Sequence, residues 1–179
     1  VSAKHKVPHI FGFGATEKVN ETFASDPEKY GYWSTKGWPT PAKLGNKYID
    51  ALQYYIEQGV YAPEAKTVAI YGEDTDWGRS FAAGVIDLFE EAGWEIVSEE
   101  YFPLAQTEYT SYLNQVKDLA PAVLAGTSTS QAAVAGIRSV SDLPIAATMS
   151  FDSHGHTMMG IKPEQASNVL HLEEVQFIG

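Results

Sequence analysis

Cysteine is absent from the 179 residues, which excludes a disulfide framework, thiolate catalysis and cysteine-based zinc sites. Basic residues are scarce: 12 Lys and Arg stand against 23 Asp and Glu, a net charge of −11. Nucleic-acid phosphates would be repelled by such a chain, so a nucleic-acid partner is excluded. The charge does not name a ligand, because a site can carry a field opposite to the protein's average. No apolar run approaches the ~18 residues of a membrane span, and no basic start leads into a short apolar stretch as in a signal peptide. The chain opens on Val1-Ser2-Ala3-Lys4 and stops at Phe177-Ile178-Gly179, straight after an apolar, strand-like run. The expectation is a piece whose ends belong inside a longer protein.

Enzymatic signatures are missing as well. Gly12-Phe13-Gly14 is only a G-x-G, and Glu17 stands where the dinucleotide fingerprint needs its third glycine. There is no phosphate-binding G-x-x-x-x-G-K-[ST] and no G-x-S-x-G nucleophile elbow. His154 and His156 form an H-x-H with Asp152 nearby, but metal sites need ligands at defined spacing, so a solvated loop is the reading. Glu99-Glu100 and Glu173-Glu174 alternate across strand faces and do not converge on one point. No metal and no cofactor is expected.

What is present is an alternation of strands and helices in a chain that is 44% hydrophobic, as in ordinary globular proteins. Pro8–Phe13 is short and apolar like a buried parallel strand. A polar stretch with Asn20, Asp26-Pro27 and Gly31 follows, then an extended run at Tyr32–Thr35. Thr40 before Pro41 marks a helix start, and Leu44, Tyr48, Leu52, Tyr55 and Ile56 recur at helical spacing up to Gly59. Thr67–Tyr71 is a β-rich run that empties into Gly72–Asp76. A helix begins near Trp77-Gly78, carries Phe81, Val85, Leu88 and Phe89 on one face, and ends at Gly93 before the strand Glu95–Val97. That is a βαβ unit of about 30 residues. Tyr109, Tyr112, Leu113, Val116 and Leu119 make another helical stripe, Ala122–Ala125 a buried strand, and Val134, Ile137 and Val140 a helix from Gln131. Pro144–Ala147 reads as a strand, and Val169–Leu172 as the start of the last. The pattern predicts an α/β fold with a parallel sheet covered by helices on both faces.

Ligands of such sheets sit at the carboxyl ends of the strands. The candidate loops are therefore Gly12–Glu17, Gly72–Gly78, Gly126–Ser130 and Met149–Gly155. Two have a plainer use: Ser128, Thr129 and Ser130 suit helix caps, and so do Asp74 and Thr75. Capping does not exclude ligand contact, since a helix amino terminus with hydroxyls also suits a carboxylate. Trp77 either plugs the sheet end or stacks on a ligand. The second is favoured, because the stripe of Phe81, Val85, Leu88 and Phe89 already fills the helix's apolar face.

Lys66–Ser80, with its strand, Asp-containing turn and Trp77-Gly78, resembles the start of the second lobe in type I solute-binding proteins of the branched-chain amino acid class. Ala92–Val97, Tyr101–Leu104, Thr107–Tyr109, Pro121–Gly126, Val7–Ile10 and Gly14–Thr16 continue the match over nearly the whole chain. The resemblance implies two α/β lobes that close by a hinge around a small ligand and pass it to a membrane permease of an ABC transporter. It implies that the loop Gly14-Ala15-Thr16 holds the ligand's carboxylate. Trp77, next to Asp76, would cover the ligand, and Ser128 and Thr129 would supply a side wall. An acidic residue would pair with an ammonium; that position falls on Phe151 here, with Asp152 one residue away. The family's side wall is commonly aromatic, and here it is not. If Asp152 misses the cleft, a carboxylic acid, an aromatic compound or an amide suits the site better than an α-amino acid, whose ammonium would be buried unpaired.

By the same resemblance residues 1–35 are the end of the first lobe, 36–167 the second, ligand-binding lobe, and 168–179 a hinge strand returning to the first. The implied protein is not an enzyme. It is a periplasmic or extracellular, in some forms lipid-anchored, binder of an amino acid or related acid or amide. The alternatives are a ligand-sensing receptor domain of the same fold and a doubly wound enzyme, for which no catalytic constellation is visible.

Overall fold

A computed structural model describes residues 1–11, 17–34, 39–104, 106–127, 132–140, 142, 145–147, 151, 153–157, 160–172, 175 and 177–178. After a 3-10 turn at Ala3–His5 the described elements are β1 (His9–Ile10), α1 (Lys18–Ser25), α2 (Pro27–Tyr30), β2 (Trp33–Ser34), α3 (Pro41–Glu57), β3 (Thr67–Glu73) and α4 (Asp76–Glu91). They continue as β4 (Glu95–Phe102), α5 (Thr110–Leu119), β5 (Val123–Gly126), α6 (Ala132–Val140), β6 (Ala146–Ala147), α7 (Pro163–Leu172) and β7 (Phe177–Ile178). Two compact units result, Val1–Phe102 with Pro121–Thr127, and Pro103–Ala120 with Ser128–Gly179.

In the first unit β3 lies between β4 and β5, parallel to both. Val68, Ala69 and Ile70 are consecutive and all buried, as a parallel strand covered on both faces requires. Its register with β4 slips between Val68 and Ala69, so that Val68 faces Ile96 and Ala69 faces Ser98. Phe81, Val85 and Phe89 recur every four residues on α4 and are buried with Ile49, Val68, Ile70 and Trp94. Each such side chain contributes ~1.5–3 kcal/mol by leaving water. Gly45 lets α3 approach α4: a Cβ there would stand 2.9 Å from Val85 Cγ2. Gly93, at φ +78°, turns the chain out of α4 into β4. A separate parallel pair, β1–β2, sets His9 opposite Trp33.

The second unit packs α5, which buries Tyr112, Leu113 and Val116, near α6. A Cβ at Gly136 would stand 2.7 Å from Leu113 Cδ1. In the same unit β6 and β7 pair in parallel, Ala146 opposite Phe177.

Three expectations change. Of the run Pro8–Phe13, read as a buried strand, the described part is β1, only His9–Ile10, and both residues are exposed. The polar stretch after β1 contains the helices α1 and α2. Neither buries a residue, so no apolar stripe announces them. Asp26 nevertheless caps α2 by accepting from Lys29 N at 3.1 Å, with Pro27 in the first turn. Val169–Leu172 is the end of α7, not a strand. Ala166 and Leu170, four apart, are the buried face and Pro163 stands at the helix start, while Leu172 is exposed. The last strand is Phe177–Ile178. In addition β3 runs on through Gly72 and Glu73, and α4 starts at Asp76, one residue before Trp77.

Candidate functional site at the strand ends of the first unit

The carboxyl ends of β3 and β5 lie side by side, Tyr71 paired with Gly126. Close approach is built in here, since a Cβ at Gly126 would stand 2.2 Å from the Tyr71 carbonyl oxygen. From β3 the chain turns through buried Glu73 into α4. Asp74 N donates to Phe102 O at 2.6 Å and Thr75 N to Glu73 O at 2.8 Å. The Thr75 hydroxyl accepts from Gly78 N at 3.0 Å, so Thr75 is the helix cap that the residue types suggested.

Asp76 and Trp77 are the first two residues of α4. Asp76 is exposed, and Lys18 Nζ lies 3.2 Å from both its carboxylate oxygens. An acidic residue is favoured at this end of a helix. Trp77 is half-buried. Its ring stacks on Phe81 at 5.6 Å and 22° and packs against the core's margin.

Outside this turn stands a group that sequence patterns did not single out. Arg79 Nε donates to Asp74 Oδ1 at 2.7 Å. Its guanidinium carbon lies 4.1 Å from the centre of the Tyr101 ring, on β4. The Tyr101 hydroxyl donates to Glu99 Oε1 at 2.6 Å. Burial, and then the bond to Glu99, pushes the Tyr101 phenol up to about 12. Asp74 raises Arg79 above its ordinary value, so the cation persists at any working pH.

On the β5 side Thr127 N donates to Tyr71 O at 3.3 Å. The Thr127 hydroxyl oxygen is buried and has no hydrogen-bond partner among the described residues. An unmatched buried hydroxyl costs ~1–3 kcal/mol, which a ligand group that bonds to it would recover. Its loop was legible as a candidate. Choosing Thr127 within the run Thr127–Ser130 required burial, which spacing does not carry.

Of the expected site residues, Asp76 and Trp77 come together on the first turn of α4. Gly14, Ala15, Thr16, Ser128, Thr129 and Asp152 lie outside the described residues. Phe151 is exposed. Glu99 holds the Tyr101 hydroxyl, and Glu173-Glu174 lie outside the described residues. Among the described residues no group of three or more His, Cys, Asp or Glu is placed to hold a metal ion, and no helix is long and apolar enough to cross a membrane.

The family model described as periplasmic binding protein matches residues 1–175. Among solved structures, the chain is similar to an ABC transporter solute-binding protein from R. palustris in complex with benzoate. The TM-score is 0.59 at 14% identity, over 78% of this chain and 36% of that one. A periplasmic binding protein from Burkholderia mallei gives 0.57 at 21% identity, over 78% and 34%. A candidate branched-chain amino acid ABC transporter protein from Silicibacter pomeroyi gives 0.56 at 18%, over 69% and 30%. The chain thus spans about a third of the length of each. At these identities the likeness concerns the fold. No protein of curated function matches the sequence.

Proposed function

The chain belongs to the periplasmic binding protein family, a solute-binding kind, and we propose that it is the ligand-binding part of an ABC importer's solute receptor. In this reading it captures a small amino acid or a related acid or amide between two lobes and hands it to a membrane permease. Residues 36–167 form the second lobe, 1–35 the end of the first, and 168–179 the return toward it. The protein works outside the cytoplasmic membrane, tethered by lipid or free, and turns over no substrate.

The observation that carries this reading is the Thr127 hydroxyl. It is buried, without a partner among the described residues, at the carboxyl end of β5, where open parallel sheets bind ligands. The neighbouring strand end offers the half-buried Trp77 and the amino terminus of α4, which suit a planar or apolar body and an anionic group. Lys18 already engages the Asp76 carboxylate, so Asp76 is poorly placed to bind an ammonium. Together with the benzoate held by the R. palustris protein, this favours a carboxylate-bearing ligand.

Thermal-shift screening of the full-length protein against leucine, other amino acids, benzoates and their amides tests the proposal. A stabilising ligand that is recovered unchanged is the expected result, since a ligand bound only by the folded state raises Tm. Chemical conversion of the stabilising compound would overturn it, and so would the absence of any hit across the panel.

A further inference from the structure

We infer that Arg79 is the positioning residue that sets the direction of the Trp77 ring, an inference that rests on the proposed solute-binding role of Trp77. Arg79 turns back across the β3–α4 turn to Asp74, five residues earlier, with Nε 2.7 Å from Oδ1. The four residues enclosed are Thr75, Asp76, Trp77 and Gly78. The guanidinium carbon lies over Tyr101, 4.1 Å from the ring centre, and Tyr101 is tied to Glu99 at 2.6 Å. Tyr101 in turn rests on the backbone of β3, since a Cβ at Gly72 would meet its ring at 3.3 Å.

The first turn of α4 is therefore fastened twice. Inside, Gly78 N is held by the Thr75 hydroxyl. Outside, Arg79 joins the turn to Asp74, the residue after β3, and to Tyr101 of β4. Rotation of this turn about the helix axis, which would swing Trp77 away from the strand ends, breaks both contacts of Arg79. Phe81 stacks on one side of the indole at 5.6 Å and, with Val85 and Phe89, seats the body of α4 on the sheet, while Arg79 fastens the helix's first turn. The arrangement depends on a planar cation that donates in the plane of its fork while stacking on a ring, which lysine cannot reproduce.

The test uses the full-length protein labelled with 5-fluorotryptophan, the Trp77 resonance being assigned with Trp77→Phe. Arg79→Ala is expected to shift or broaden the Trp77 resonance while those of Trp33, Trp38 and Trp94 stay in place. Arg79→Lys is expected to behave like Arg79→Ala, and Tyr101→Phe, which keeps the ring, like the unaltered protein. A Trp77 resonance unmoved in both Arg79 variants would overturn the inference and leave Phe81 as its support. In a second arm, binding of benzoate and of leucine is measured. For whichever binds, Arg79→Ala should weaken affinity about threefold, the scale of one exposed cation–π contact, and should cost nothing further in the Trp77→Phe background. Equal loss in both backgrounds would show that Arg79 does not act through Trp77. Should neither probe bind, the solute-binding reading is what suffers, and the fluorine spectra still decide the role of Arg79.

Discussion

The carbonyl oxygen of Glu73 occupies the space that a side chain at Gly78 would need: a Cβ there would stand 2.2 Å from it. This contact seats the first turn of α4 against the end of β3 and thereby fixes the level at which Asp76 and Trp77 leave the sheet. Gly78→Ala would raise intrinsic helix propensity by up to ~1 kcal/mol, but it forces a helix off a strand's backbone. Net destabilisation of about 2 kcal/mol is expected, in the range of overpacked sites. A lower urea midpoint at unchanged m value would register it, and an unchanged or higher midpoint would refute the close approach.

Thr127→Val should leave the ligand-free protein as stable as before or more stable by up to about 1 kcal/mol, because it removes a buried hydroxyl that has no partner among the described residues. The same change should weaken binding of the ligand found in the screen, and Thr127→Ser should retain it. Paired urea melts and calorimetric titrations check this. A Val variant that loses stability without ligand would mean that the hydroxyl already has a partner.

Tyr101 gives stability an alkaline dependence whose sign follows from its raised value of about 12. Below pH ~10 the phenol is neutral in both folded and unfolded chains, so nothing is lost. Between pH ~10 and about 12 the unfolded chain releases this proton while the folded one keeps it, so stability declines as pH rises. Partial solvent exposure makes the decline modest. The stability difference between the unaltered protein and Tyr101→Phe should change across this window and stay constant below it. A constant difference throughout would show that the phenol is not held neutral.

Lys18 and Asp76 are joined across 58 positions of sequence, with side chains 67% and 64% exposed. A double-mutant cycle with Lys18→Ala and Asp76→Ala should give a coupling of ~0.2–1 kcal/mol at low salt, the range of exposed pairs. At about 1 M salt, where screening acts within ~3 Å, the coupling should vanish. Persistence at high salt would point to a contact less open to water than this one.

The sequence by itself determined the α/β class and the βαβ unit from Thr67 to Val97, whose last strand the structure extends to Phe102. Val68–Ile70 and the Phe81–Val85–Phe89 stripe are long, apolar and periodic, and periodicity is a local property. It also narrowed the α4 cap to Asp74 or Thr75 and placed the α3 start at Thr40-Pro41, which depend on single residues at fixed offsets. It did not show α1 and α2, which bury nothing, and it misplaced Val169–Leu172, where four residues carry no period of their own. Tertiary structure alone showed that the Thr127 hydroxyl is buried with no partner among the described residues. It alone brought Arg79 onto Tyr101 and Lys18 onto Asp76. Those pairings join residues on different elements, and their distances are set by the register of β3 with β4 and β5 and by the seat of α4 on Glu73, neither of which any local pattern encodes.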